Sequence, residues 1–256
     1  MSARKVFGIG PVTELLGSHP NDVLKLYVRA GRAGASPKKD PLAALARQCR
    51  DLGIAVLERS ADDLVKLAGP GARHQGVVAL AQAFGYADVD DVLAAAEAKG
   101  EAPLVVALDG VTDPHNLGAI ARSALVLGAH GLIVPRDRAG KVTPGAVKAS
   151  AGALERLPVA QVVNLARTLE ELKERGLWIA AVVEKSGAAP GWTVDASGPL
   201  CLVLGSEGHG LRSLIARACD LSLSIPMSGT GVGSLNVAVA AGIALYEARR
   251  QRDTIA

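Results

Sequence analysis

The stretch Leu104-Val105-Val106-Ala107-Leu108-Asp109-Gly110-Val111-Thr112-Asp113-Pro114-His115-Asn116-Leu117-Gly118 passes from a β-type apolar run, through polar residues and glycine, into a helical pattern. The helix continues with Ile120, Ala121, Ala124 and Leu125, the i, i+3/i+4 spacing of one buried face. Two later stretches share this design. One is Leu200-Cys201-Leu202-Val203-Leu204 followed by Gly205-Ser206-Glu207-Gly208-His209-Gly210. The other is Leu221 to Ile225, then Pro226-Met227, a glycine-rich loop from Ser228 to Gly233, and Ser234-Leu235-Asn236 leading into small apolar residues. In open parallel sheets, ligands sit outside the carboxyl ends of the strands, so polar residues at three such ends predict one composite site.

Outward from these junctions, the runs Gly131 to Val134 and Trp178 to Val183 complete a set of strands that alternates with helical patterns from Pro103 onward, one of them carrying Leu165, Leu169 and Leu172. Such alternation predicts an α/β fold, a parallel sheet with helices on both faces. The front of the chain reads as a small α/β domain. Val12 to Leu16 is helical, and Val23 to Val28, Ile54 to Leu57 and Gly76 to Ala81 are strands. Asp40-Pro41 forms an N-cap plus N1 proline opening a helix that Gly53 closes. The predicted division is 1–83 for the front domain, 84–102 for an acidic, alanine-rich linker helix starting at Asp88, Asp90 and Asp91, and 103–256 for the main domain.

Composition narrows the functional classes. The 256 residues carry a formal charge of +3, but ten basic residues face five acidic ones between Met1 and Ser60, a local net of +5. Arg29, Arg32, Lys38 and Lys39 lie in or beside a flexible basic loop able to grip phosphates. Charge alone leaves an ordinary solvated surface and a polyanion-facing one as alternatives. With aromatics at 3%, a base-stacking platform is not expected. The three cysteines, Cys49, Cys201 and Cys219, lack CxxC spacing and suit a reducing compartment, with Cys201 a small core residue. No apolar run approaches a membrane span, and the protein is expected to be soluble and cytoplasmic.

Familiar signatures are missing. There is no GxxxxGK[ST] loop, and Gly229-Thr230-Gly231-Val232-Gly233 is GxGxG after the last strand rather than GxGxxG after the first. Histidines show no zinc spacing, no GxSxG elbow occurs, and no metal is expected. Taken singly, Asn116 reads as a helix N-cap, Arg122 as a surface residue, Glu207 as a turn carboxylate, and Ser234 and Asn236 as helix-start residues. His115 and His209 read as turn or surface residues.

Jointly, Asn116, Gly118 and Arg122 form N-x-G-x-x-x-R, Leu204-Gly205-Ser206-Glu207-Gly208 a second motif, and Ile225-Pro226-Met227 with Ser234-Leu235-Asn236 a third. This ordered set resembles the SpoU/TrmH class of SPOUT methyltransferases, which methylate the ribose 2′-hydroxyl of RNA with S-adenosylmethionine. Phe7-Gly8-Ile9 and His74-Gln75-Gly76 resemble the opening and closing segments of that class's substrate-binding domain, which is like ribosomal protein L30e. The branch most resembled acts on a guanosine of large-subunit (23S) ribosomal RNA. A transfer RNA guanosine, the thiostrepton-site adenosine and a non-catalytic RNA-binding assembly factor stand as alternatives.

The resemblance implies a trefoil-knotted C-terminal domain, a homodimer, and S-adenosylmethionine met by backbone groups at Leu204, Gly205, Ile225, Met227 and Leu235. It makes Arg122 the central catalytic residue. Asn116 would fix Arg122 or the ribose, Ser234 and Asn236 would hold ribose, phosphate and loop, and Glu207 would order the cofactor loop or a dimer contact. A homodimer also suits the last helix, expected from Ser234 to about Arg250, which starts apolar nearly all round. The chain departs from the family in one respect: the loop from Ser228 to Gly233 has six residues where five are usual.

Overall fold

In chain order the elements are β1 (Arg4–Phe7), α1 (Ile9–Ser18), β2 (Val23–Arg29), α2 (Pro41–Asp51), β3 (Ala55–Arg59), α3 (Ala61–Ala68) and β4 (Val77–Ala81). They continue as α4 (Val89–Glu97), β5 (Leu104–Asp109), α5 (Pro114–Val126), β6 (Gly131–Pro135), α6 (Pro144–Ala149), β7 (Val159–Val162), α7 (Leu165–Glu174) and β8 (Trp178–Val183). The last are β9 (Ala189–Pro190), β10 (Leu200–Gly205), α8 (Ser213–Arg217), β11 (Leu221–Ser224) and α9 (Val237–Ile255). This computed structural model describes residues 3–34, 36–38, 40–137, 139–183, 188–228 and 234–255.

Contacts divide the chain into two units, 1–85 with 142–156, and 86–141 with 157–256. The front unit holds a sheet in the order β1-β4-β2-β3, parallel between β2 and β3 and antiparallel elsewhere. Local chemistry fixes its helices. The Asp40 carboxylate accepts from the Leu42 amide at 2.9 Å with Pro41 at N1, and Ser60 caps α3. The later segment 142–156 is tied into this unit by a bidentate ion pair, with Arg4 donating to both Glu155 oxygens at 2.5 and 2.8 Å and the Glu155 side chain almost fully buried. Lys148 Nζ adds a bond of 2.8 Å to Gln75 Oε1.

The second unit is built on a seven-stranded sheet in the order β7-β6-β5-β10-β8-β11-β9, every neighbouring pair parallel. Its central strands are buried on both faces, which is why they read as continuous apolar runs. On one face Val105, Ala107, Ile133, Cys201 and Val203 pack with Val92 of α4, Leu165, Leu169 and Leu172 of α7, and Ile215 of α8. α5 and α9 pack against each other and over the other face. The stretch 84–102, expected to connect the domains, thus contributes a helix to this layer. Asp88 opens that helix in a capping box with Asp91.

Two of the boundaries that differ from expectation lie beside the third junction. β11 ends at Ser224, leaving Ile225 outside the strand, and α9 begins at Val237 because Asn236 caps it, its Oδ1 accepting from the amides of Ala238 (2.9 Å) and Val239 (3.4 Å). Cys201 is fully buried, as expected of a core residue, and burial raises the Cys49 and Cys219 thiols to about 11, so all three disfavour the thiolate.

Buried His130 joins two strand starts: its Nδ1 accepts from the Leu104 amide at 3.0 Å and its Nε2 faces Glu101 at 3.2 Å. Burial, with the Lys99 charge adding to it, holds the imidazole below its ordinary 6.5. The unfolded chain therefore binds this proton more readily than the folded one. Stability is fully present above about pH 6.5 and falls as pH drops from there toward the folded pKa. Melting temperatures at about pH 7.5 and about pH 5.5 check this: His130→Asn, whose amide oxygen can still accept from Leu104, should lose less between the two than the wild type. An equal loss would exclude His130 as the source.

Candidate active site

The three junctions read from the sequence meet at the carboxyl ends of β5, β10 and β11. Adjacency of β5 and β10, with Leu108 opposite Leu204 and Asp109 opposite Gly205, brings the loop before α5 beside the turn after β10. That turn is closed on itself by paired backbone bonds between Ser206 and Gly210, 3.1 and 2.9 Å long. A Cβ on Gly205 would fall within 2.5 Å of the Leu211 nitrogen and closer still to the Gly210 carbonyl, so only glycine lets the turn fold back this tightly.

Asn116, Glu207 and Asn236 form a closed hydrogen-bonded triangle across the three junctions. Glu207 Oε1 accepts from Asn236 Nδ2 at 2.5 Å, Asn116 Nδ2 at 3.1 Å and the Val237 amide at 3.4 Å. Asn236 spends its second amide hydrogen on Asn116 Oδ1 at 3.0 Å, while its own oxygen caps α9. The carboxylate thus sits at a helix N-terminus among donors, where negative charge is stabilised. Its observed role is to tie three loops together.

Two expectations about single residues change. Asn116 is not the helix cap, because Asp113 holds that place by accepting from the His115 amide at 2.9 Å, which frees Asn116 to reach Glu207 and Asn236. Nor does Asn116 bond Arg122. Six residues apart on a helix, at about 100° each, the two project from different sides. Arg122 is exposed and makes no hydrogen bond or ion pair among the described residues.

A cavity of about 380 Å³ opens beside the triangle, within the size range of small-molecule sites. All five residues assigned to cofactor contact, Leu204, Gly205, Ile225, Met227 and Leu235, line it, as do Glu207 and Ser234. Its wall suits a flat heteroaromatic group with a polar tail: apolar side chains on two sides and the exposed backbone of glycine-rich turns on a third. Of the loop with the extra residue, Gly229 to Gly233 lie outside the described residues.

Sequence reasoning missed two parts of this site. Val182 and Val183, at the carboxyl end of β8, also line the cavity, and the polar Glu184-Lys185-Ser186-Gly187 after them was the available signal. The other part is an ion pair between a buried carboxylate and a half-exposed arginine. Asp109 Oδ1 accepts from Arg212 Nε at 2.7 Å and Nη2 at 2.6 Å, and Oδ2 from the Arg212 amide at 2.9 Å, with the Asp109 side chain 1% exposed. The pair clamps the return of the Gly205 to Gly210 turn onto the end of β5. A carboxylate directly after an apolar strand is its only trace in the sequence.

The basic residues assigned to RNA belong to the front unit. Arg29, Arg32 and Lys38 are exposed, Arg32 being paired to Asp40 at 3.1 Å, and Arg29 and Arg32 line a cavity of about 270 Å³ at the start of α2. Lys39 lies outside the described residues. Among the described residues no three His, Cys, Asp or Glu side chains are grouped to hold a metal ion, and no helix is long and apolar enough to cross a membrane.

A parallel sheet with cofactor-sized space walled by glycine turns at its strand ends, preceded by a small mixed-sheet unit, defines the class of the protein, and comparison with known proteins gives the family. Residues 103–246 match the model of the SpoU rRNA Methylase family, and residues 5–87 that of the RNA 2′-O ribose methyltransferase substrate-binding domain. The chain belongs to the SpoU rRNA methylase family. It is 41% identical to a 23S rRNA (guanosine-2′-O-)-methyltransferase RlmB of Shewanella oneidensis over 96% of this chain and 97% of that one. It is 48% identical to a putative TrmH family tRNA/rRNA methyltransferase, YacO of Bacillus subtilis, over 72% of this chain and 73% of that one. The crystal structure of the SpoU methyltransferase AviRb from Streptomyces viridochromogenes in complex with AdoMet superposes with a TM-score of 0.79 at 30% identity, covering 98% of this chain and 90% of that one. The resemblance read from the motifs is confirmed, and S-adenosylmethionine is the cofactor of the family.

Proposed function

We propose that the protein transfers the methyl group of S-adenosylmethionine to the ribose 2′-hydroxyl of a guanosine in 23S ribosomal RNA, as a cytoplasmic homodimer. The observation carrying this reading is the Asn116–Glu207–Asn236 triangle joining three strand-end loops beside the cavity that all five assigned cofactor residues line. The 23S guanosine is supported by RlmB-named relatives at about 40% identity along the whole chain. The tRNA/rRNA name of the Bacillus subtilis relative makes transfer RNA the second reading. A trefoil-knotted threading of the loops around the cavity belongs to the same proposal.

Bound in the cavity, S-adenosylmethionine would supply a methyl group on a sulfonium sulfur, the S–C bond breaking as the O–C bond forms and the neutral thioether S-adenosylhomocysteine leaving. What the chain must supply is placement and electrostatics, because a ribose hydroxyl is a poor nucleophile until it is held in line and its proton is lost. Asn116, Ser234 and Asn236 fix ribose and loop, with Glu207 holding the two amides in their orientation. Arg122, always charged and free of partners among the described residues, grips the target phosphate bidentately and stabilises negative charge growing on the 2′-oxygen. It is not the base, since a guanidinium does not give up its proton; phosphate or water takes the proton. Arg29, Arg32, Lys38 and Lys39 hold neighbouring phosphates.

The dimer is supported by α9. α5 and the sheet cover one side of it, yet Val239, Ile243 and Tyr246 remain 50%, 41% and 59% exposed at the spacing of one stripe. Light scattering at micromolar concentration should give twice the chain mass, reduced to one chain in Ile243→Asp. A monomeric wild type would contradict the dimer.

Labelled methyl transfer to total RNA from cells lacking the gene tests the activity. Label in 23S RNA is expected, and label in transfer RNA would move the target. No cofactor binding together with no transfer would sink the enzyme.

A further inference from the structure

A second cavity of about 360 Å³ adjoins the first, sharing Ser206, Glu207 and Val237 with it and reaching over Asn116 to Asp113. Its titratable side chains among the described residues are the carboxylates of Asp113 and Glu207 and the imidazole of His209, so it offers acceptors beside a single weakly basic ring. A neutral group that offers hydrogen-bond donors suits it. Glu207 is already engaged by the two asparagines and the Val237 amide. Asp113 is not: one of its oxygens accepts from the His115 amide, and the other has no partner among the described residues.

We propose that this second cavity receives the target nucleoside and that the open carboxylate oxygen of Asp113 reads the guanine edge, making Asp113 a specificity-determining residue. The proposal rests on the methyltransferase reading above but reaches guanine from the chemistry of the cavity. Guanine alone among the four bases presents two adjacent donors, N1–H and the 2-amino group, on its pairing edge, and a carboxylate is acceptor-only. Adenine and cytosine would set a ring-nitrogen lone pair against it, and uracil offers one donor between two carbonyls. Asp113 is exposed in the free chain, so the discrimination acts once the bound nucleoside covers it, a wrong base then leaving the carboxylate oxygen without the water it gave up. The common wall at Ser206 and Glu207 places such a nucleoside next to the cofactor cavity, with Asn116 reaching its ribose.

Asp113→Asn separates this role from helix capping, because asparagine caps as well as aspartate but sets an amide NH₂ or a single oxygen against the base. The experiment uses a 23S RNA fragment carrying either guanosine or inosine, which lacks the 2-amino group, at the mapped target, and compares kcat/KM for methyl transfer. Wild type should prefer guanosine by about tenfold or more, and Asp113→Asn should bring the ratio close to one, with S-adenosylmethionine affinity and melting temperature unchanged. An unchanged preference in an active variant overturns the proposal and leaves the methyltransferase reading intact. A wild type that methylates no RNA sinks both.

Discussion

Replacing Arg122 by lysine is expected to lower kcat for methyl transfer about 100-fold, and replacing it by alanine about 1,000-fold, the scale seen when one preorganised donor to a developing oxyanion is removed. The lysine variant keeps the charge but loses the planar fork that grips two phosphate oxygens at once, so it separates geometry from electrostatics. Arg122 is not among the residues lining the cofactor cavity, and S-adenosylmethionine affinity measured by calorimetry should stay at the wild-type value in both variants. Near-normal turnover in the lysine variant would rule out the bidentate role. A matching loss of cofactor affinity would place Arg122 in the wrong part of the site.

The second large effect belongs to Gly205→Ala. The added methyl group meets backbone, the Gly210 carbonyl and the Leu211 nitrogen, and backbone cannot swing aside as a side chain can. Opening the turn would break the paired Ser206–Gly210 bonds and pull against the Asp109–Arg212 clamp. Overpacking strain of up to about 3 kcal/mol falling on the cofactor-binding conformation corresponds to about a 100-fold weaker S-adenosylmethionine affinity. Melting temperature should fall less than activity, because Gly205 ends its strand and the core lies behind it. Wild-type cofactor affinity in this variant would mean that the turn is not what shapes the cavity.

Much of the second unit was legible because its central strands are buried on both faces. Runs such as Leu104-Val105-Val106-Ala107-Leu108 admit few other structures when glycine and polar residues bound them. The edge strands were not. β7 is four residues, Val159-Ala160-Gln161-Val162, and β9 is Ala189-Pro190, too short for any periodicity to register. α3 and α6 escaped for a similar reason, at eight and six residues.

The residues of the Asn116–Glu207–Asn236 triangle were singled out in advance because the motifs carry them, but their pairing was not. Asn116 meets Glu207 and Asn236 only because β10 lies beside β5 rather than beside its sequence neighbour, bringing together residues separated by 91 and 120 positions. Asp109 and Arg212, 103 apart, depend on the same adjacency. Local pattern reveals which segments end at the site. Strand order decides which side chains touch there.

Methylation of a ribose oxygen of a 23S guanosine, the activity proposed for this site, can be read from alkaline hydrolysis of the labelled RNA. Alkali cleaves RNA through the 2′-hydroxyl, so a methyl group on that oxygen protects the adjoining phosphodiester. Label from S-adenosylmethionine should appear in one alkali-resistant dinucleotide beginning with guanosine, from 23S RNA, and Arg122→Ala should lose it. Label recovered in alkali-sensitive nucleotides, with the methyl group on a base, would contradict that activity.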